Sequence, residues 1–227
     1  MVDVKAGRTR RVHLRNGAHG YGVVTKSLHW LTVLAILAQF VVGYAMDFDA
    51  SHDRQEDQLK AESDRLEEEA EGQGEAAEER VEAETEQRED LLDAGKDDQA
   101  SAVFSDVISG NAFGDGLSLP EVHVSLGLLV IALAVVRMLW RRTTPLPPWA
   151  EHLSNRERRL EGGLEKLLLA LLVVVPATGL LLVATSDGWL PVHVAAQVLF
   201  LVAIAAHVGL VLKHTVVHRN RHLARML

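Results

Sequence analysis

The chain has 227 residues, 48% hydrophobic and 24% charged, with a formal charge of −8. It contains no cysteine, which excludes disulfides, thiolate metal sites, iron–sulfur clusters and thioether-linked haem. The averages hide a division, because residues 47–98 hold 22 Asp and Glu against 6 Lys and Arg. That balance of −16 leaves +8 on the remainder, so the low overall charge describes one segment and not the rest.

In chain order, residues 1–26 form a basic arm, followed by an apolar run at 27–46. Next come the acidic stretch at 47–119 and a second apolar run at 120–140. A basic loop at 141–166, a third run at 167–185, a short connection at 186–189, a fourth run at 190–214 and a tail at 215–227 complete the chain. Each run has close to the ~20 residues a helix needs to cross a hydrocarbon core, and each is apolar nearly all round. The predicted fold is therefore all-α: an integral membrane four-helix bundle with a long acidic extracytoplasmic insertion between its first two helices. No small-residue cleavage site follows "VVGYAMDFDA", so the first run is read as a retained span.

Basic residues cluster in the arm, in the loop with Arg141, Arg142, Arg156, Arg158 and Arg159, and in the tail with Arg219, Arg221 and Arg225. By the positive-inside rule all three lie in the cytoplasm of a multi-pass cell-membrane protein, with both termini inside. The acidic stretch is rich in Glu, Ala, Arg and Gln, but Gly72 and Gly74 interrupt any heptad. It reads as a solvated helix or outer loop, with cation binding or docking of a basic partner as the alternative. Nothing in the charge pattern points to nucleic acid.

The fourth run, "LPVHVAAQVLFLVAIAAHVGLVLKH", carries His193 and His207 fourteen residues apart. Fourteen residues rise ~21 Å, so the two rings leave one helix face at different depths. With alternating helix directions His29 falls level with His207 near the inner side, and His123 level with His193 near the outer side. Ionisable residues inside a membrane are expensive and are usually paired or functional. Two non-covalent haems b answer that cost: each iron takes two neutral imidazoles, His29 with His207 and His123 with His193. A single buried histidine is ordinarily bonded to a carbonyl, and zinc wants four donors rather than two. The level pairing decides for haem.

Arg137, fourteen residues after His123, is a candidate partner for haem propionates; the alternative is an arginine reaching to the headgroups. Gly43, Gly127, Gly179 and Gly209 permit close approach, and Pro176 predicts a kink in the third span. His214 is read as a spare ligand, a proton carrier or an interface residue.

"LHW" at the start of the first span, "HVSLGLLVIALAVVRMLWR" in the second and the fourth-run motif resemble the bacterial cytochrome b561 family, related to the b-type subunits of nickel–iron hydrogenases. The resemblance covers about residues 20–46 and 120–225. It implies four membrane helices, two haems b on His29, His123, His193 and His207, electron exchange with quinone, and in some members oxidation of superoxide. The chain departs from the family in three places. Val124 stands where many members have lysine, Glu165 with Lys166 stands where members often have histidine, and the connection at 47–119 is long. Candidate quinone or proton groups are Lys26, Lys213, His214 and Glu165.

The reading is thus an electron-transfer oxidoreductase with quinone as one partner and a second redox partner unidentified; a homodimer is among the candidate assemblies. Two alternatives stand beside it. One is a membrane anchor passing electrons to or from a separate dehydrogenase or hydrogenase; the other is a small transporter using histidines as relays.

Overall fold

The computed structural model describes residues 13–17, 20–48, 51–71, 73–112, 114, 116, 118–148, 154–185 and 187–217. Much of the basic arm and tail, with Arg219, Arg221 and Arg225, lies outside the described residues. The described chain is helical: α1 (Val23–Phe48), α2 (Ser51–Glu71), α3 (Glu75–Ser109), α4 (Leu119–Thr143), α5 (Asn155–Ala184) and α6 (Leu190–Leu212). A 3₁₀ turn at Asp187–Trp189 precedes α6 and a π turn at Lys213–Val217 follows it. Among the described residues there is no strand, only an isolated bridge between Gly17 and Gly20.

Helices α1, α4, α5 and α6 are long and apolar enough to cross a membrane. Their apolar side chains point largely outward: Leu34 is 61% exposed, Val41 68% and Val202 61%. Water would not tolerate so much uncovered hydrocarbon, whereas lipid tails match it. The chain is a multi-pass membrane protein. Where side chains are buried in the spans they are often small, as at Ala35, Ala134, Ala203 and Thr32, which lets backbones approach.

Two of the spanning helices begin with a capping box. Ser118 donates its hydroxyl to Glu121 Oε2 at 2.7 Å while accepting from the Glu121 amide, which starts α4. Ser154 does the same with Glu157, at 2.9 Å. This second box explains why α5 starts at Asn155, well ahead of the span expected from Leu167. The charged stretch read as loop is the first turns of a longer helix. Pro176 lies inside α5, which continues through it.

The chain divides into two compact units. One gathers the described residues of Met1–Ile36, Leu129–Val175 and Ala195–Leu227; the other gathers Leu37–Leu128 and Pro176–Val194. In the first unit, the arm folds back on the start of α1. Asn16 Oδ1 accepts from the Gly22 amide at 3.0 Å and from Thr25 Oγ1 at 2.8 Å. Asn16 Nδ2 donates to the Pro145 carbonyl at 3.1 Å, and Trp140 Nε1 donates to Thr25 Oγ1 at 3.0 Å. The arm is thereby tied to the end of α4. In the second unit α2 packs on α3: Ser63 and Thr85 hydroxyls meet at 3.2 Å, and Arg88 bridges Glu62 and Glu84. Those two carboxylates hold the Arg88 guanidinium above its ordinary pKa, Glu62 most strongly. Gly110, with φ of 80°, closes α3 in a left-handed cap.

Gly22 is the position that fixes the arm. A Cβ there would stand 2.4 Å from the Arg15 carbonyl carbon and the Leu14 oxygen, which are backbone atoms that cannot swing aside. Gly22→Val should therefore destabilise by about 2 kcal/mol or more. Gly163→Ala, with open space around it inside α5, should be neutral or raise stability by up to about 1 kcal/mol. Thermal unfolding of both variants in detergent checks this contrast.

Candidate functional site

The four histidines singled out by depth divide between the two units, two in each. His29 of α1 and His207 of α6 fall in the unit that also holds Arg137 of α4. The three lie within electrostatic range of one another, and Glu165 and Glu161 of α5 lie within range of His207. His29 also meets the ring of Trp30 edge-on, with centroids 5.5 Å apart. This cluster is hereafter the basic-end site.

Beside it is a cavity of about 50 Å³ lined by Tyr21, Leu28, Arg137, Thr144, Glu165 and Leu169 among others. Arg137 makes no ion pair with a described residue, whereas Arg141 holds Glu165 in a two-pronged pair at 2.6 and 3.1 Å. Thr144 is 2% exposed, and its buried hydroxyl has no partner among the described residues. A guanidinium without a carboxylate and a buried hydroxyl without a partner together ask for a polar guest. Carboxylates of a buried ring would satisfy the first.

The other unit contains His123 of α4 and His193 of α6, the insertion-end site. Each ring rests on a glycine. A Cβ at Gly43 would stand 3.1 Å from His123 Cε1, and one at Gly179 would stand 3.0 Å from His193 Cε1. Each ring is also held by a polar side chain. Gln39 Nε2 meets His123 Nε2 at 2.9 Å, and Thr178 Oγ1 meets the buried His193 Nδ1 at 3.0 Å. Gly127, beneath Gln39, has room for Pro176 Cβ at 3.6 Å from its own would-be Cβ.

Four imidazoles on membrane helices, two of them set against glycines, with a guanidinium that makes no ion pair with a described residue, fit non-covalent haem. The contact of Thr178 with His193 Nδ1 holds the ring by one nitrogen, so Nε2 would be the nitrogen to hold an iron. At His123 the Gln39 amide meets the nitrogen that iron would use, so binding there requires that contact to exchange. Gln39, Thr178 and Thr144 are groups that spacing alone does not reveal, because each meets its partner across the fold.

The remaining expected groups separate. Lys213 Nζ pairs with Glu157 at 3.2 Å, and His214 Nε2 stands 2.9 Å from Glu161 Oε1. Lys26 is half-buried on α1, and its ammonium makes no ion pair with a described residue. Gly209 has open space around it and supports no close approach.

The hydroxyl at Thr178 makes its own test. Thr178→Val keeps the volume and strips the bond to His193, so it should destabilise by about 1–3 kcal/mol. Thr185→Val should change stability by less than about 0.5 kcal/mol, because that hydroxyl is exposed and bonds only its own helix at Leu181. Paired unfolding curves in detergent measure the difference.

Among curated proteins and solved structures none matches the chain. A family model described as prokaryotic cytochrome b561 matches residues 20–227, which takes in all four spans and all four histidines. That match covers most of the chain, and with it the histidine-bearing helices acquire their explanation: the chain belongs to the prokaryotic cytochrome b561 family, membrane b-type cytochromes that transfer electrons.

Proposed function

We propose that the chain is a di-haem b cytochrome that carries electrons within the membrane, with quinone or quinol as one partner. The observation that carries this reading is the division of the histidines: two compact units, each with two membrane-helix imidazoles. Bound haem b would supply reversible one-electron chemistry at each. His29 and His207 would hold one ring and His123 and His193 the other, while Arg137 would neutralise propionate at the basic-end site. Gly43 and Gly179 make room for the imidazoles of His123 and His193, and Thr178 bonds the ring of His193.

The positively charged loops place the basic end in the cytoplasm and the acidic helices outside, in a cell membrane. Quinone is favoured over superoxide as the reacting partner by the residues beside His123. Val124 is a buried apolar side chain and Glu121 a buried carboxylate, so nothing there draws a small anion. A role as membrane anchor for a separate dehydrogenase has one supporting feature, the acidic face of α2 and α3, which suits a basic partner. A relay transporter gains nothing from a family of electron carriers.

Purified protein should bind about two haems per chain by pyridine haemochrome assay and show a sharp α-band on reduction. His193→Ala and His207→Ala should each remove one haem, leaving the other. A single haem in the unsubstituted chain would show that one of the two pairs is wrong.

A further inference from the structure

Helix α5 carries three carboxylates four residues apart, Glu157, Glu161 and Glu165, which share one face with a rise of ~6 Å per step. Each meets a basic group from another element. Glu157 pairs with Lys213 at 3.2 Å, Glu161 stands 2.9 Å from His214 Nε2, and Glu165 pairs with Arg141. A salt bridge on a surface has no need of burial, yet His214 is 1% exposed and Glu161 is 14% exposed. The contact between them is close but off-line for a hydrogen bond, so it is an ion-pair distance and not a locked geometry. His214 sits in the π turn Lys213–Val217, an irregularity that membrane and soluble helices often place at functional positions.

The row has direction. Its first member follows the Ser154 cap at the start of α5, and its last lines the cavity that also holds Arg137 and the partnerless hydroxyl of Thr144. A cavity of about 50 Å³ admits a few water molecules, since one needs about 10–15 Å³ by this measure. His207 lies within electrostatic range of Glu165 and Glu161. A largely buried carboxylate–imidazole pair, with a further carboxylate lining water-sized space, supplies the components of a proton relay.

We propose that Glu161, His214 and Glu165 form a proton-loading group along α5, which takes up one proton when the basic-end site gains an electron. The proposal rests on the haem reading above and adds what the chain does with charge. A one-electron donor adds one negative charge at the site. One proton from water then binds the Glu161–His214 pair, forming an O–H or N–H bond. When the electron leaves, that bond breaks and the proton returns. The surrounding charges are set for this exchange. The charged groups within range on neighbouring elements are His207, which senses Glu161, Glu165 and Arg137, Arg141 paired with Glu165, and Lys213 beside His214.

The test is a redox titration of the full haem-loaded protein from about pH 5 to about pH 9. The basic-end haem is identified as the one lost in His207→Ala. Its midpoint potential should fall as pH rises in the unsubstituted chain, and the fall should be flattened in Glu161→Gln and in His214→Asn. Glu161→Asp should restore it, and haem content should be unchanged in all three. A structural salt bridge would lower stability without flattening the slope. Should Glu161→Gln fail to assemble, reduced-minus-oxidised infrared spectra of the unsubstituted protein in H₂O and D₂O serve instead. A redox-linked, deuterium-sensitive carboxyl band supports the path, and its absence overturns it. A slope that is flat in the unsubstituted chain, or left unchanged in both variants, overturns the path and leaves the haem reading intact. A chain without haem at His29 and His207 overturns both.

Discussion

A histidine placed among lipid-facing leucines loses its water, and a charged or unbonded imidazole there costs several kcal/mol unless a partner replaces what water gave. Everything distinctive in this chain follows from meeting that cost four times over. The spans are otherwise so apolar that Leu34, Val41 and Val202 stand uncovered, which only a bilayer tolerates. Against that background the polar residues near the rings are few and placed. Thr178 and Gln39 each meet one ring nitrogen, and Gly43 and Gly179, lacking side chains, let the rings come close to a neighbouring helix. Arg137 is the counterpart at the basic end, a cation with no carboxylate of its own among the described residues.

Much of this was legible in the sequence because membrane helices obey simple rules. Run length set the four spans, and the alternation of helix directions sorted His29, His123, His193 and His207 by depth. The structure distributes those same residues two to each compact unit. The basic loop at 141–166 was less transparent. Its charge density reads as loop, yet Ser154 and Glu157 form a capping box and α5 begins there. The signal, S-x-x-E before an apolar run, was present, and the pairing of successive glutamates with Lys213, His214 and Arg141 lets a charged helix persist. Gln39, Thr178 and Thr144 were not legible at all. A lone Thr or Gln in an apolar span carries no periodic signal, and its role is set by a partner far away in the chain.

The acidic stretch shows the opposite balance. Its composition favours helix, and α2 and α3 form with few apolar residues to bury, held by Ser63 with Thr85 and by Arg88 with two glutamates. Such contacts at exposed sites contribute little each. The hairpin therefore owes its form mainly to helix propensity and to the turn that includes Gly74, and its charge remains available to a partner. On the α5 face charge is handled differently: Glu157, Glu161 and Glu165 each meet a basic group, Lys213, His214 and Arg141.

The central claim is that all four histidines bind iron, two to each. Low-temperature electron paramagnetic resonance of the oxidised, purified protein addresses it directly, because the spin state of ferric haem reports its axial ligands. Bis-imidazole ligation at both sites predicts two distinct low-spin ferric signals with no substantial high-spin component, and conversion of one of them alone in His29→Ala. A dominant high-spin signal, or a single low-spin species at two haems per chain, would contradict the pairing of His29 with His207 and His123 with His193.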